Sequence, residues 1–343
     1  MKLVTFETRQ GRSGTPRLGA IDGASGNIID LLAAATAAGH AHTDRLASML
    51  ALIDGGDAAL DGARDAMAAT LGSGIAEALH APEAIRLLAP LPNPRRLRDC
   101  GCFLQHFRNA RAVRYRRLAA READTEAAME RFRTAGDLEI PEAWAVVPVM
   151  LNANHLSIIG SEVDVVWPHG AHRMDYELEF AMVSGRAGQN ISRADGAGHF
   201  FGFTVFNDVS ARDIQARDIA AQTGLAGRSK DFDSGNVIGP CIVTADEIGD
   251  PYNLTMIARV NGEEWSCGNT GQMDHRFEDV LVHASRNQTV YPGEIFGSGT
   301  VPTGCGLERD RYFEDGDTIE LEIEKIGILR NRIVRPAGWQ DTW

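Results

Sequence analysis

Apolar and polar positions alternate, in part, through the first 33 residues: LVTFET, then LGAID and GNIIDL beyond a Gly/Arg-rich turn. Such alternation predicts short strands, because successive side chains of a strand point to opposite faces. Between 33 and about 85 the spacing turns helical in a stretch rich in Ala, Leu and Met, broken near residues 54–57 and 72–74 by acidic caps and glycines. The segment LLAPLPNPRRLRD, with Pro90, Pro92 and Pro94, marks a boundary. The pattern predicts a small N-terminal α+β domain over 1–85 and a larger domain over 86–343.

Within the larger domain, residues 107–137 form a long, charged, helix-prone insertion whose first half is strongly basic. It is expected to be a solvated surface helix or a cap over a site, and as a cap it turns Arg108, Arg111 and Arg114 toward an anionic substrate. From about 145 onward the signal is mostly β. FGFTVF, GPCIVTA and LTMIARVNG are separated by Gly, Asn and Asp turns, and GDTIELEIEKIGILRN closes with strict alternation. The fold class is therefore α+β and mostly β, a large mixed sheet or barrel-like roll in preference to a doubly wound sheet.

Composition narrows the function. With 44% hydrophobic and 24% charged residues over 343 positions, the chain is ordinary for a globular protein. No stretch approaches the ~18 to 20 apolar residues needed to span a bilayer. The opening MKLVTFETRQ has no apolar run of the secretory kind, so a cytoplasmic location without a membrane partner is expected. A formal charge of −13 argues against nucleic acid as a partner, since phosphate affinity rests on Lys and Arg. A small anionic substrate is compatible with it, because a site can be locally positive. The five cysteines, Cys100 and Cys102 in C-x-C spacing among them, make neither a disulfide framework nor a zinc site and are expected as reduced thiols. There is no G-x-G-x-x-G, no Walker A pattern and no nucleophile elbow.

The candidate chemistry lies in carboxylates. In MDYELEF, Glu177 and Glu179 stand two apart on an expected strand and share a face, with Tyr176, Leu178 and Phe180 on the other. FGFTVF ends in Asn207 and Asp208. Three such carboxylates would suit a hard cation such as Mg²⁺, Mn²⁺ or Ca²⁺. The same alternation also fits a solvated face, as in IELEIE with Glu320, Glu322 and Glu324, and spacing does not choose between the two.

MDYELEFAMVSGR, FGFTVFNDVSARDIQ, KDFD, VNGE, YPGEIFGSGT and the closing GDTIELEIEKIGILRN occur in this order. Together they resemble the fumarylacetoacetate hydrolase family over about residues 95–335, and the first ~85 residues resemble the leading domain of its longer members. The resemblance implies a mixed β-roll around the active site, a homodimer, and a divalent metal, Mg²⁺ first, on Glu177, Glu179, Asp208 and Asp99. It implies His106 and Glu308 as a water-activating pair, Lys230 as a stabiliser of developing negative charge, and Gln215 and Thr300 as substrate contacts. Arg212 is expected to brace the loop after Asp208, and Arg114 is carried as a substrate-binding candidate from the basic insertion. The Cys100–Gly101–Cys102 stretch departs from the family's commoner one. The function implied is metal-dependent hydrolysis of a C–C bond in an acylpyruvate-like or other β-diketo acid. The alternative is a decarboxylase, isomerase or hydratase acting on a 2-oxo acid.

Overall fold

The computed structural model describes residues 1–9, 14–222, 224 and 227–341; residues 10–13 of the expected Gly/Arg-rich turn lie outside the described residues. A twelve-stranded mixed sheet forms the frame, with a five-stranded sheet and a two-stranded ladder beside it. At its centre Leu178–Ser184 pairs antiparallel with Phe200–Asp208 on one side and with Glu294–Gly297 on the other. Glu294–Gly297 runs parallel to Arg96–Gly101. Phe200–Asp208 in turn pairs with Asn236–Thr244.

Every residue of Leu178–Ser184 is buried, because both faces of the frame are covered. Phe180 and Met182 point into a core that includes Phe203, Phe277 and Phe296. Ala181 and Val183 point into a second core shared with Leu31, Leu52, Ala63 and Ala66 of the N-terminal helices. Phe180 and Phe203 stack with centroids 5.0 Å apart; burying one such ring contributes ~1.5–3 kcal/mol. The N-terminal segment is continuous with this frame: Lys2–Thr8 pairs with Asn236–Thr244, Leu3 opposite Ile242. The boundary expected near residue 85 is thus no break in the sheet. The strand Thr318–Ile323, paired on both sides within the smaller sheet, buries alternate residues only, as expected where one face of a sheet meets water.

The basic insertion differs from the single long helix expected over 107–137. It is a hairpin of two helices, Leu104–Ala119 and Thr125–Thr134. The break has a local cause: Asp124 caps the second helix by accepting from the Ala127 N–H at 2.9 Å. Tyr115 packs on Phe132 across the hairpin at 4.9 Å between centroids.

Candidate active site

The carboxylates meet where the central strands end. Asp99 lies opposite Gly297 in the parallel pair, and Glu179 lies opposite Phe206, two residues before Asp208. One oxygen from each of Asp99, Glu179 and Asp208 lies within 4.8 Å of the other two. Two glycines make room. A Cβ on Gly297 would stand 2.8 Å from Glu179 Oε2, and one on Gly299, whose φ is +74°, would stand 2.3 Å from the Cys100 carbonyl oxygen. That close turn lets the Gly299 N–H donate to Glu179 Oε2 at 2.9 Å.

Burial separates these acids from the solvated Glu pattern. Glu177 and Glu179 are 4% and 0% exposed, whereas Glu320 and Glu322 are half-buried and Glu324 is exposed. Asp99 Oδ1, Glu179 Oε1 and Asp208 Oδ1 are buried without a hydrogen-bond donor among the described residues. Burial, and then the Asp208 charge, push Asp99 up to about 8. Burial, with Asp99 and Asp208 behind it, pushes Glu179 well above its usual range. Asp208 rises to about 6, burial outweighing the pull of Lys230. Three orphaned oxygens that resist ionising together fit a divalent cation with hard oxygen ligands.

Glu177 is placed differently. Its Oε1 is 2.8 Å from an Arg212 nitrogen and its Oε2 is 2.5 Å from Lys230 Nζ. Burial raises this acid, but the Lys230 and Arg212 charges outweigh it and hold Glu177 low. Lys230 also donates to Asp208. Of the four carboxylates expected as metal ligands, three converge and the fourth is held by cations.

His106 and Glu308, 202 residues apart in sequence, meet with Nδ1 2.8 Å from Oε1. His106 occupies the first turn of Leu104–Ala119, whose leading N–H, that of Leu104, donates to Asp274 Oδ2 at 2.8 Å. Glu308 sits on the short turn Gly306–Arg309. Its Oε2 accepts from Asn109 Nδ2 and from the Thr303 N–H at 3.1 Å. The turn is fixed by buried Asp175, which accepts from the Gly306 and Leu307 N–H groups at 2.7 and 2.9 Å and from Arg212 Nε at 2.7 Å. Arg212 therefore braces this turn through Asp175, and also donates to Gln215 Oε1 at 3.0 Å.

A cavity of about 400 Å³ collects Asp99, Glu177, Glu179, His106 and Lys230 with Gln215, Thr300 and Arg114. Arg111, Arg117, Arg121 and Arg173 line it too, as do Phe107, Trp144, Leu151, Ile219 and Leu307. Arg108, expected among the facing arginines, is exposed and outside the cavity. At about 100° per residue, positions 107, 110, 111, 114, 117 and 118 share a face that 108 does not. Sequence reasoning missed Asp175, Asn109, Arg121, Arg173 and Trp144. Asp175 had a signal, since it precedes Glu177 at the same two-residue spacing; Asn109 follows His106 by three, one helical turn. Arg173 and Trp144 had none.

A mixed β frame that brings a carboxylate cluster and a histidine–glutamate pair onto one cavity has the layout of an enzyme site. The family model described as "Fumarylacetoacetate (FAA) hydrolase C-terminal" matches residues 119–334, and the chain belongs to that family. The resemblance read from the motifs is borne out, as is the mixed, mostly β fold. The chain is 39% identical over 189 residues to the mitochondrial oxaloacetate tautomerase FAHD2A of Homo sapiens, covering 54% of this chain and 59% of that protein. Several such curated relatives are therefore matched over little more than half their length. The mitochondrial oxaloacetate tautomerase fahd2 of Xenopus laevis is 30% identical over 338 residues, 97% of this chain and 90% of that protein. Among solved structures, the fumarylacetoacetate hydrolase of Exiguobacterium antarcticum aligns with TM-score 0.69 and 27% identity over 98% of this chain and 100% of that one. The maleylpyruvate hydrolase of Sphingobium sp. SYK-6, in complex with manganese(II) and pyruvate, shares the fold with TM-score 0.68 and 23% identity over 98% and 99% of the two chains. Among the described residues no helix is long and apolar enough to cross a membrane.

Proposed function

We propose that the chain is a metal-dependent enzyme that moves a proton at the carbon beside the 2-oxo group of a dicarboxylic oxo acid, as in keto–enol tautomerisation of oxaloacetate. The observation that carries this reading is the pairing of His106 Nδ1 with Glu308, His106 lining the same cavity as Asp99 and Glu179, two of the three acids with donorless oxygens. With Nδ1–H donating to Glu308, Nε2 is the ring nitrogen left to take and return a proton. Asp99, Glu179 and Asp208 would hold the cation, Mg²⁺ first, with Mn²⁺ or Ca²⁺ as alternatives. When bound, it supplies Lewis-acid polarisation of the substrate's oxo group. The Lys230 ammonium adds positive charge at the same end of the cavity. Thr300 and Gln215 orient the substrate there, and Arg114 and Arg121 bind its far carboxylate. The identity to oxaloacetate tautomerases supports this outcome.

A second reading, C–C hydrolysis of an acylpyruvate-like substrate, uses the same His106 to take a proton from water. The apolar wall of Phe107, Trp144, Leu151 and Ile219, more than a four-carbon diacid needs, favours it, as does the likeness to a fumarylacetoacetate hydrolase. The proposal includes a homodimer, checked by light scattering, and a cytoplasmic location, supported by five free thiols of which four are buried. The test follows enol–keto interconversion of oxaloacetate by ultraviolet absorbance and acylpyruvate cleavage by product analysis, with Mg²⁺ or EDTA, for wild type and His106→Ala. Metal-dependent interconversion that collapses in the variant supports the first reading, and cleavage that collapses supports the second. Pyruvate release from oxaloacetate that survives in the variant moves the enzyme to the decarboxylases. Bound metal with no turnover of any of these overturns all three.

A further inference from the structure

Beside the all-oxygen cluster stands a second set of potential ligands with different chemistry. One atom each from His106, Cys305 and Glu308 lies within 4.8 Å of the other two. Cys305 Sγ is 3.7 Å and His106 Nδ1 is 2.8 Å from the same oxygen, Glu308 Oε1. Nitrogen, sulfur and carboxylate oxygen form a borderline-to-soft set that suits zinc and its neighbours, whereas Asp99, Glu179 and Asp208 offer oxygen alone.

The set is built rather than incidental. Glu308 Oε2 is occupied by Asn109 Nδ2 and the Thr303 N–H, which leaves Oε1 turned to His106 and Cys305. The turn that carries Cys305 and Glu308 is pinned by Asp175 through the Gly306 and Leu307 N–H groups. Supports of this kind around metal ligands fix their orientation. Cys305 is fully buried, and His106 borders the cavity, so an ion can arrive from that side. Ionising the Cys305 thiol, which burial holds well above its usual range, costs affinity. A sulfur ligand in the set favours ions that bond strongly to sulfur over Mg²⁺.

We propose that His106, Cys305 and Glu308 form a zinc-class metal site, distinct from the carboxylate cluster, whose occupation switches the enzyme off. A metal on His106 Nδ1 holds the ring in the other neutral tautomer, its one proton moved through solvent from Nδ1 to Nε2, so Nε2 can no longer accept one. It also takes from His106 the carboxylate that orients it. The inhibition rests on the proton-moving role given to His106 above, but the binding does not.

The test uses Co²⁺ as a spectroscopic stand-in for zinc, titrated into the full chain already saturated with Mg²⁺. One equivalent of Co²⁺ is expected to give a thiolate-to-cobalt charge-transfer band. The band is lost in Cys305→Ser and retained in Cys267→Ser, which removes the exposed thiol, and in Asp99→Asn. His106→Ala is expected to weaken Co²⁺ binding by ~10-fold or more, which covers the case in which Cys305→Ser does not fold. In turnover assays with Mg²⁺, Zn²⁺ is expected to inhibit wild type at concentrations ~10-fold lower than it inhibits Cys305→Ser. No charge-transfer band, or a band that survives Cys305→Ser, overturns the site. Zinc binding without inhibition overturns the switch alone. The binding measurements need no substrate, so their failure leaves the proposed reaction untouched.

Discussion

Glu179→Gln is expected to make the metal-free protein more stable while abolishing its response to metal. In the native chain Glu179 Oε2 accepts from the Gly299 N–H, and Oε1 has no donor among the described residues. An amide keeps the acceptor and turns its nitrogen toward Asp99 and Asp208, whose orphaned oxygens then gain a donor. The amide also cannot ionise, so the burial penalty that pushes Glu179 well above its usual range is removed. A buried polar atom left without a partner costs about 1–3 kcal/mol, and the amide nitrogen removes that cost at one of the neighbouring carboxylates. A gain of about 1–2 kcal/mol in EDTA at pH 8 follows, or ~2–6 °C in Tm for a chain of this size. The sign depends on pH. Asp99 and Asp208 have folded pKa values above their unfolded ones, so the native chain loses stability as pH rises from about 4 through about 6 and then about 8. Both acids remain in the variant, whereas Glu179, raised by burial in the same way, is gone, so the variant's advantage grows as pH rises above the usual carboxylate range. The assay is thermal unfolding from pH 5 to 9, with EDTA or Mg²⁺. A variant less stable than wild type in EDTA at pH 8, or one that keeps the full Mg²⁺-induced rise, would refute the reasoning.

Three further outcomes follow from the same geometry. Asp175→Ala takes from Arg212 one of its two carboxylate partners and from the Gly306 and Leu307 N–H groups their acceptor, so stability should fall by about 3–5 kcal/mol; chemical denaturation checks it, and a loss under 1 kcal/mol would show that Asp175 does not hold the turn. Gly297→Ala places a methyl group 2.8 Å from Glu179 Oε2 and from the Phe206 ring, and Mg²⁺ affinity measured by calorimetry should drop ~10-fold or more. Arg114→Ala and Arg121→Ala should each raise KM for a dicarboxylic substrate by the ~1.5–3 kcal/mol of a charged hydrogen bond and leave a monocarboxylic analogue unaffected, with exposed Arg108→Ala as the control.

Much of the frame was legible because it is written in local periodicity. The period of two in MDYELEF placed Glu177 and Glu179 on one face and Tyr176, Leu178 and Phe180 on the other, and the structure sets the first pair on the cavity and the other three in the core. The helical tendency from residue 107 was equally plain, but its break at Asp124 was not, since one capping aspartate carries little weight in a long charged run. The ordered motifs carried the family, and through it His106, Glu308 and Lys230, which spacing alone would have left among ordinary polar residues.

What the sequence determined by itself, then, was which positions alternate, which turn, and which face of each element is apolar. Only the tertiary structure decided that Glu177 and Glu179 are enclosed while Glu320, Glu322 and Glu324, with the same alternation, meet water. It decided that Glu177 is given to Lys230 and Arg212 and that Asp99 joins the cluster from a parallel neighbour. It also closed the 202-residue interval between His106 and Glu308. The physical reason is that periodicity reports on neighbours along the chain, whereas desolvation and charge coupling depend on what folds over a residue from elsewhere.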